Sequence, residues 1–428
     1  MSSQKSSAVI GPKRLALLTQ YFPPEVYPQT LWLAEAMRDQ GFDTHVLTGT
    51  PNYPTGKVLP GYSARTTKHE TIQGFRVTRG PVYPSHDDDA IGRVANYLSF
   101  GAGAFWAGRA ILRTADVTLV WATPATVGIP ALWANLIWET PYVLFVQDLW
   151  PDTVFATGYL TDPRIERVAR SGLAPYLRAL YSRAAHVVAI TPGMQRALVD
   201  RGVPAEKTSV VFNWVDENAM RQVAPNGRLR ATLGLGHDEI IIVFAGNIGS
   251  AQGLEAWVRA MHRLKGYEDV QLVLVGNGSD RERLRRLSKD LELRSVHFVD
   301  QVPVSDISDL TADAELAALS LTDQPLFHIT VPSKTPALMA QGKAILCSAP
   351  GEAQEIVQRA GAGWTATPDH IDSITQMILR ARAAGGEEIR RRGTSGREYY
   401  LQSIGRSIGS LRLATILSNA ARRRRALR

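Results

Sequence analysis

The feature that most constrains the fold of this chain is an alternation of short apolar runs with longer, helix-like segments. Runs such as VTLVWA at residues 117–122 and YVLFV at residues 142–146 are continuously apolar, and helix-like segments lie between them. Continuously apolar strands are typical of a parallel sheet that helices cover on both faces. The alternation therefore predicts an α/β fold of the doubly wound type.

The alternation restarts in the second half, after a polar segment at residues 215–238 that contains a Pro-Asn-Gly turn signal. A chain of 428 residues is also too long for one core. We predict two Rossmann-like domains, 1–214 and 239–400, joined by the linker 215–238 and followed by a C-terminal helix and Arg-rich tail at 401–428. Because such folds bind ligands at the carboxyl ends of their strands, the site is expected in an interdomain cleft.

Positive charge is concentrated at the C-terminal end of the chain. Residues 390–428 contain eleven arginines and one acid, Glu398, so their net charge is +10, whereas the whole chain carries +8. The remaining residues therefore carry −2 (8 minus 10). The cluster Arg422–Arg425 is of the kind that attracts anionic membranes or nucleic acid, but a solvated helix end would have the same composition.

Cysteine usage and the N-terminal residues bear on the compartment. The single cysteine, Cys347, excludes an intrachain disulfide framework and suits a reducing environment. The apolar run at residues 15–18 is too brief for the apolar region of a signal peptide. We therefore expect no export signal and a cytoplasmic location.

Two longer apolar stretches, residues 94–108 and 124–138, fall short of the roughly 20 residues that a membrane span requires. We interpret both as buried helices. An alternative for the first is that it also touches a bilayer through its aromatic side chains, which are Tyr97, Phe100, Phe105 and Trp106.

A glycine-rich turn opens the second domain. The segment VFAGNIGSAQGLE, residues 243–255, places Gly246, Gly249 and Gly253 between a predicted strand and a predicted helix. Backbone N–H groups in such a turn can approach a phosphate closely. Glycines at a tight turn can also be purely structural, so this pattern alone leaves both interpretations open.

Two further turns follow the next predicted strands. LVGNGSD, residues 274–280, has Gly276 and Gly278 ahead of a helix, and either lets a nucleoside lie close to the backbone or caps that helix. HFVDQVP, residues 297–303, ends a strand with a polar turn that could hydrogen-bond the edge of a base.

A lysine between two prolines is the most unusual element of this half. In VPSKTP, Ser333 is a candidate N-cap and Pro336 falls in the first helical turn, where a missing N–H costs nothing. Lys334 then lies at the positive end of a helix, which disfavours a cation unless an anion binds there. A diphosphate would supply that anion; the alternative is a lysine that faces solvent on a proline-rich loop.

In the first domain, polar and aromatic loops follow the predicted strands. QYFPPE at residues 20–25 follows the first strand, and GTPNYPTG at residues 49–56 follows the second. QDLWPD, residues 147–152, ends a hydrophobic strand in a carboxylate. Asp148 is therefore a candidate for contacting a sugar hydroxyl or an acceptor proton, although it could instead cap the turn that follows.

The motifs of several enzyme classes are missing from the sequence. It contains no HExxH, no paired Cys/His ligand spacing and no Walker A loop, and its one GxSxG match, at residues 405–409, falls in the predicted C-terminal helix and not after a predicted strand. These features argue against metal hydrolases, serine hydrolases and P-loop NTPases.

Taken together, the motifs resemble those of bacterial GT-B glycosyltransferases of family 4. The resemblance is strongest to the branch that builds colanic acid, O-antigen and capsule, including fucosyl- and N-acetylfucosaminyl-transferase-like members. It rests on QYFPPE with GTPNYPTG, QDLWPD, FAGNIGSAQGLE, VGNG and VPSK followed by MAQGK, which span most of the chain in a fixed order.

The resemblance implies a retaining glycosyltransferase that needs no metal or other cofactor. The second domain would bind a nucleotide-diphosphate sugar and the first a lipid-linked saccharide acceptor. Expected catalytic residues are Asp148 and Lys334. Expected donor-binding residues are Gly246, Asn247, Gly249, Gly276, Gly278, Val302, Ser333, Lys334 and Glu352. Expected acceptor-binding residues are Tyr21, Pro24, Glu25, Asn52, Tyr53 and Trp150.

Four positions differ from residues that are common in the family. Relatives often carry Arg, Lys, Glu and His, respectively, where this chain has Asn247, Gln252, Ala337 and Gln147. Glu352 or Glu355 is a candidate for a sugar-hydroxyl contact in place of the missing glutamate; both could equally be charges at a helix start.

The expected function is sugar transfer to a lipid-linked saccharide in bacterial surface polysaccharide biosynthesis, at the cytoplasmic face of the inner membrane. Expected partners are the donor, the acceptor and an anionic membrane surface, but no nucleic acid. Two alternatives remain at this point, a GT-B-fold nucleotide-sugar isomerase or epimerase, and a non-enzymatic module that binds anionic lipid.

Overall fold

The computed structural model describes residues 13–25, 27–85, 90–152 and 163–426. The chain divides into two compact units. The first unit comprises Met1–Ile190, Gln195–Val211 and Ser410–Arg428, and the second comprises Thr191–Met194 and Phe212–Gly409.

The first unit is built on one eight-stranded sheet. Its strands are β1 (Lys13–Leu18), β2 (Phe42–Gly49), β3 (Lys68–Ile72), β4 (Phe75–Gly80), β5 (Val117–Ala122), β6 (Tyr142–Val146), β7 (His186–Ala189) and β8 (Thr208–Val210). They lie in the order β3-β4-β2-β1-β5-β6-β7-β8. Strands β5 and β6 are buried at every residue, as their continuous apolar sequences predict.

The helices of this unit connect the parallel strands. They are α1 (Gln29–Asp39), α2 (Ala90–Thr114), α3 (Ile129–Trp138), α4 (Pro163–Arg183) and α5 (Pro192–Asp200). Within the described ranges, no helix is both long enough and apolar enough to cross a bilayer. Phe100 and Phe105 of α2, two of the four aromatics that the sequence offered to a bilayer, are buried.

Strand β3 is an element that the sequence did not indicate. It pairs with β4 at the edge of the sheet and is the one antiparallel strand among the described residues. Its sequence, KHETI, has no apolar run, and each of its residues is partly or fully exposed. A polar edge strand of this kind lacks the signal that identifies the buried strands.

The last helix, α13 (Arg406–Ala426), corrects the predicted status of residues 401–428 as a separate helix and tail. Residues 410–428 belong to the first unit, because Leu413, Leu417, Ala420 and Ala421 are buried there. These positions recur at helical spacing, so one face of α13 packs as an ordinary amphipathic helix. The arginine content of the segment obscured this pattern.

Arg424 has a structural role within the arginine cluster. It is 5% exposed, and its guanidinium donates to the backbone oxygens of Ala115, Arg113 at 2.9 Å and Trp138 at 3.4 Å. The last carbonyls of a helix have no partner within that helix, and α2 and α3 end beside these residues. The buried guanidinium therefore supplies hydrogen bonds to carbonyl groups at the ends of these two helices, which have no partner within their own helix.

We expect Arg424→Ala to destabilise the first unit by about 2–4 kcal/mol, because it leaves buried carbonyl groups without donors. Arg422→Ala is the matched control, since Arg422 is exposed on the same turn of α13. The measurement is urea unfolding of the full chain followed by circular dichroism. Equal transition midpoints for the two variants would contradict the assigned role.

The second unit contains a six-stranded parallel sheet in the order β11-β10-β9-β12-β13-β14. Its strands are β9 (Ile240–Ala245), β10 (Val270–Val275), β11 (Val296–Val299), β12 (Leu316–Ser320), β13 (Ala344–Ser348) and β14 (Gly363–Thr365). Its helices are α6 (Arg228–Leu233), α7 (Leu254–Arg263), α8 (Arg281–Asp290), α9 (Ile307–Leu310), α10 (Lys334–Ala340), α11 (Glu352–Arg359) and α12 (Ile371–Tyr399).

The predicted linker 215–238 belongs to the second unit rather than lying between domains. Asp313 accepts four backbone N–H groups from residues 226–230, at distances of 2.7 to 3.3 Å. These bonds hold the start of α6, and they lower the pKa of Asp313 against the opposing effect of burial. The sequence showed only a polar, turn-rich stretch, because the carboxylate that orders it lies more than 80 residues away.

Candidate active site

In the second unit, the predicted donor residues gather where the strand order reverses. Strands β10 and β11 lie on one side of β9, and β12 to β14 lie on the other. The loops that leave the carboxyl ends of β9 and β12 diverge at such a point and form a crevice, which is where open α/β sheets bind ligands. The first glycine turn follows β9, and Lys334 begins the helix that follows β12.

The two glycine turns pack directly against each other. A Cβ on Gly276 would lie 2.0 Å from the backbone oxygen of Gly246, and a Cβ on Gly278 would lie 2.3 Å from that of Ile248. Gly276 has a φ of +136° and Gly278 a φ of +155°, backbone conformations that residues with a side chain rarely adopt. Only glycine therefore allows the carboxyl ends of β9 and β10 to approach this closely.

The backbone of these turns is partly committed to the sheet. The N–H of Gly246 donates to Val275 at 2.9 Å, and the N–H of Gly276 donates to Val299 at 3.0 Å. The Gly246 N–H therefore cannot also bind a phosphate, contrary to the sequence-based expectation, whereas the close approach of a nucleoside to the Gly276 turn stays a prediction. The role of the two glycines is close packing, and it brings the exposed Asn247 and Asn277 to the surface of the turns.

Lys334 is directed into this packed region. Its Nζ donates to Oε1 of Gln252 at 3.1 Å and lies 3.6 Å from the centroid of the Phe244 ring. A Cβ on Gly246 would lie 2.5 Å from Cε of Lys334, so the glycine makes room for the lysine side chain. The alternative of a solvent-facing lysine is therefore wrong.

Burial lowers the pKa of Lys334 from 10.5 to about 7. The amide oxygen of Gln252 and the face of Phe244 both favour a cation, but neither carries a full negative charge. An ammonium group held without an anionic partner is stabilised by any anion that enters the site. The geometry thus provides a cationic site beside two tight turns.

In the first unit, two buried charged groups organise the loops after β1 and β2. Glu25 accepts backbone N–H groups from Phe22 at 3.1 Å, and from Asn52 and Tyr53 at 2.9 Å each. Arg79, which has no exposed surface, donates to the backbone oxygens of Gly49 and Pro23. Both side chains tie segments that lie far apart in the sequence.

Three tyrosines cluster on these loops. The ring of Tyr21 lies 4.9 Å from that of Tyr53 and 5.7 Å from that of Tyr27. The hydroxyl of Tyr27 accepts a hydrogen bond from Nε1 of Trp121 at 3.3 Å. Partly exposed aromatic rings with hydroxyl groups can both stack on and hydrogen-bond a saccharide.

Asp148 lies at the carboxyl end of β6. Its carboxylate accepts a hydrogen bond from the Thr123 hydroxyl at the end of the neighbouring strand β5. Burial raises the pKa of Asp148, and the bond from Thr123 opposes that effect. A partly buried carboxylate held in this way can position a hydroxyl group by accepting its hydrogen bond.

Two family models together cover most of the chain. Residues 26–214 match a model described as a glycosyl transferase 4-like domain, and residues 226–397 match one described as glycosyl transferases group 1. The order of the two models agrees with the order of the two units. The chain is a GT-B glycosyltransferase of the family 4 type.

Individual relatives agree with this assignment. The glycosyltransferase is 26% identical over 372 residues to the Escherichia coli K12 protein named putative colanic acid biosynthesis glycosyl transferase WcaI, with 82% of this chain and 86% of that one covered. Its fold is similar to that of sucrose-phosphate synthase from Thermosynechococcus elongatus, with a TM-score of 0.71, 18% identity and coverage of 95% and 98%. HepE from Anabaena, solved with UDP and glucose, has a TM-score of 0.67, 16% identity and coverage of 95% and 100%. The predicted fold class and family are thus confirmed.

Several predicted site residues of the glycosyltransferase lie together. In the second unit these are Gly246, Gly276, Gly278 and Lys334, and the exposed Asn247 borders them. Gly249 is buried beside Asn247, and Val302 packs partly buried against the core around Val275 and Leu310. In the first unit, Tyr21, Glu25, Asn52 and Tyr53 form one group, and Pro24 is exposed within it.

Three predicted contacts of the glycosyltransferase involve side chains that the structure buries. Glu352 is 4% exposed and its Oε1 accepts the backbone N–H of Gly193, so this oxygen has a structural partner, and the predicted sugar contact of Glu352 stays a prediction. Trp150 is 9% exposed and packs edge-on against Tyr97 at 5.7 Å, so its indole is part of the core. Glu25 accepts hydrogen bonds from the backbone N–H groups of its own loop and of the loop after β2, so it positions these loops. Each of the three was predicted from a polar or aromatic residue type in a ligand-facing loop, and the structure buries its side chain.

Ser333 does not cap α10 with its side chain. Its backbone is already helical, with φ −58° and ψ −19°, and Thr335 N–H bonds the Pro332 oxygen at 2.9 Å. A side-chain cap requires an extended residue, which this geometry does not provide. The serine is exposed next to Lys334 and remains available to a ligand.

The sequence singled out Gln252 as a difference from the family pattern but did not show its contact with Lys334, and it missed Arg79 and Tyr27 as members of the acceptor-side group. Gln252 contacts Lys334 across 82 residues, and Arg79 contacts Pro23 across 56. No local pattern marks such pairs. Tyr27 carried a signal, because it lies on the same loop as Tyr21 and precedes the first helix.

Within the described ranges, no group of three or more His, Cys, Asp or Glu side chains is arranged to hold a metal ion. The ammonium of Lys334 is a cation next to the first glycine turn, held by Gln252 and Phe244. The chemistry that this half of the molecule offers is therefore charge stabilisation of an anion by a buried cation and a polar rim.

Proposed function

We propose that this glycosyltransferase moves a sugar from a nucleotide-diphosphate sugar to a lipid-linked saccharide. The reaction retains the anomeric configuration and uses no metal or other cofactor. It contributes to bacterial surface polysaccharide biosynthesis at the cytoplasmic face of the inner membrane. The observation that carries the donor assignment is the meeting of Lys334 with two glycine turns at the point where the strand order of the second unit reverses.

The transfer breaks the bond between the anomeric carbon of the donor and a β-phosphate oxygen, forms a bond from that carbon to an acceptor hydroxyl oxygen, and passes the hydroxyl proton to the departing diphosphate. Negative charge grows on the departing diphosphate. The ammonium group of Lys334 supplies the compensating positive charge, held by Gln252 and Phe244. Because that charge is larger in the transition state than in the bound donor, Lys334 lowers the barrier more than it strengthens binding.

The first unit supplies the acceptor side of the proposal. Tyr21, Tyr27 and Tyr53 offer aromatic faces and hydroxyl groups of the kind that bind saccharides. Glu25 and Arg79 hold the loops that carry these rings, so the surface is formed before the acceptor arrives. Asp148 positions a sugar hydroxyl with its carboxylate.

Relatives support the finer points of the proposal by their names and bound molecules. The similarity to WcaI, named for colanic acid biosynthesis, supports a role in surface polysaccharide assembly. HepE was solved with UDP, which supports a nucleotide-sugar donor for the same fold.

The test is a donor screen followed by a transfer assay. We expect one of UDP, GDP or dTDP, or one of their sugars, to raise the melting temperature of the full chain, because a ligand that binds only the folded state stabilises it. With that donor, sugar should pass to a lipid-linked saccharide in the presence of EDTA. Asp148→Asn should keep the thermal shift and lower turnover by about 10²–10⁴-fold.

Three outcomes would contradict the proposal. Conversion of the donor sugar without any acceptor would favour an isomerase or epimerase. Loss of transfer in EDTA with recovery on adding Mg²⁺ would remove the metal-independent step. Unchanged turnover in Asp148→Asn would remove that residue from the machinery.

A further inference from the structure

The first unit carries an exposed apolar surface that neither the donor group nor the acceptor group uses. Six side chains contribute to it, and we call them together the α2–α3 face. On α2 they are Val94 (53% exposed), Leu98 (52%) and Trp106 (64%), and on α3 they are Trp133 (38%), Leu136 (52%) and Ile137 (58%).

Phe105 joins the two helices at the centre of this face. The Phe105 ring lies 6.0 Å from that of Trp106 and 5.2 Å from that of Trp133. Val94, Leu98 and Trp106 extend over about 18 Å of α2 and lie within about a third of its circumference. Large contiguous apolar surfaces on a folded unit mark sites of interaction.

The exposed charges at the C-terminal ends of α2 and α3 are mostly positive. Arg109 and Arg113 are exposed at the C-terminal end of α2, where Arg109 donates to the Trp106 carbonyl oxygen at 2.9 Å. Between residues 90 and 139 the sequence contains two acids, Asp116, which is buried, and Glu139, which is exposed directly after α3. Three aspartates at 87–89 precede α2 outside the described residues. The described charges that favour an anionic partner are therefore the arginines at the C-terminal end of α2.

Arg424 fixes where the arginine-rich end of the chain lies. Its bonds to the carbonyls of Arg113, Ala115 and Trp138 hold the end of α13 at the C-terminal ends of α2 and α3. The exposed Arg422 therefore extends the basic border of the α2–α3 face. Arg422 and Arg424 therefore belong to a folded helix and not to a free tail.

We propose that the α2–α3 face docks on an anionic lipid bilayer. Trp106 and Trp133 enter the headgroup region with the aliphatic side chains, and the bordering arginines contact lipid phosphates. Tryptophan and arginine are the residues that favour this boundary between apolar and charged layers, and an apolar helix face with a basic edge lies in its plane. The proposal deepens the membrane location given above but does not rest on the sugar chemistry.

The experiment is co-sedimentation of the full chain with vesicles, without nucleotide. We expect binding to vesicles of phosphatidylglycerol and phosphatidylethanolamine, and weaker binding to phosphatidylcholine alone. Trp106→Ser with Leu136→Ser should weaken the binding at least about tenfold, because two large apolar side chains leave the interface. A second pair, Leu98→Ser with Ile137→Ser, carries the same expectation.

The matched control is Val304→Ser with Leu401→Ser, which removes two exposed apolar side chains from the second unit (45% and 42% exposed) and should leave vesicle binding unchanged. Every variant should keep the thermal shift with nucleotide, so failure of docking is distinguishable from failure of the proposed function. No binding of the wild-type chain to anionic vesicles, or equal binding of the paired variants, would overturn the proposal. A dimer of the wild-type chain that the paired variants dissolve would assign the face to a second copy instead.

Discussion

Lys334→Ala is expected to lower kcat by about 10²–10³-fold, while the dissociation constant of the nucleotide sugar changes much less. The reason is that the diphosphate gains charge as the glycosidic bond breaks, and Lys334 provides the cation beside the glycine turns. The measurement is steady-state turnover combined with calorimetric titration of the donor. An equal loss in affinity and in kcat/KM, with kcat intact, would make Lys334 a binding group only.

The control for Lys334 is Lys289→Ala, which removes an exposed lysine from α8 in the same unit and should change neither quantity. Lys334→Arg is the conservative variant. It keeps a permanent charge, but a planar guanidinium does not fit the space beside Gly246 as an ammonium does. We therefore expect Lys334→Arg to recover part of the affinity and little of the turnover.

The lowered pKa of Lys334 gives this site a pH signature. In the free protein its pKa is about 7, and a bound diphosphate would raise it. Below pH 7 the free lysine already carries its proton, whereas above pH 7 binding must take one up. Because the charge acts mainly in the transition state, kcat/KM should therefore fall as the pH rises above 7, by up to about tenfold per unit. Lys334→Ala should lose this pH dependence between pH 7.5 and 9.

Gly276→Ala is expected to remove nucleotide binding and to lower stability together. Its Cβ would lie 2.0 Å from the Gly246 oxygen, so the two turns must separate. The φ of +136° adds a backbone strain of about 1–3 kcal/mol. Separation of the turns also displaces Gly246 from the side chain of Lys334. We expect at least about a tenfold loss of donor affinity, measured by calorimetry, beyond the fall in melting temperature.

Gly234→Ala separates these effects, because it has a positive φ of +69° but no atom within 4 Å of its Cβ. It should destabilise the chain by about 1 kcal/mol through backbone strain alone and keep donor affinity. If both variants lose affinity equally, strain elsewhere in the second unit, and not the contact between the turns, controls the site.

Much of the fold was readable from local patterns. Val117–Ala122 and Tyr142–Val146 were predicted with the bounds that the structure gives, because strands buried on both faces must be apolar at every residue. Polar elements carry no such mark, and β3 was missed for that reason. Within α12, Gly385 has a non-helical backbone (φ 76°, ψ 168°) and separates two helical segments, the second of which ends at Tyr399. Glycine adopts this conformation without the steric cost that a side chain would add.

Some residues of the candidate site were identified from the sequence, whereas the roles of others became clear only from the structure. The glycine turns and Asp148 were identified from the sequence because each lies at the end of a predicted strand, where a parallel sheet binds ligands, and Lys334 was identified because a cation at a helix start calls for an anion. The roles of Glu25, Glu352 and Trp150 were not readable. Their residue types suit ligand contact equally well, and only the backbone around them shows that packing turned them inward.

The sequence by itself therefore determined the α/β class, the two-domain order and the family, since apolar period and motif order are local properties of the chain. The tertiary structure alone decided which side chains meet. Lys334 reaches Gln252, and Arg424 reaches the ends of α2 and α3, through contacts between segments 82 and about 300 residues apart. Such contacts arise when the sheet brings strand ends together and the last helix packs on the first unit, and no local pattern encodes them.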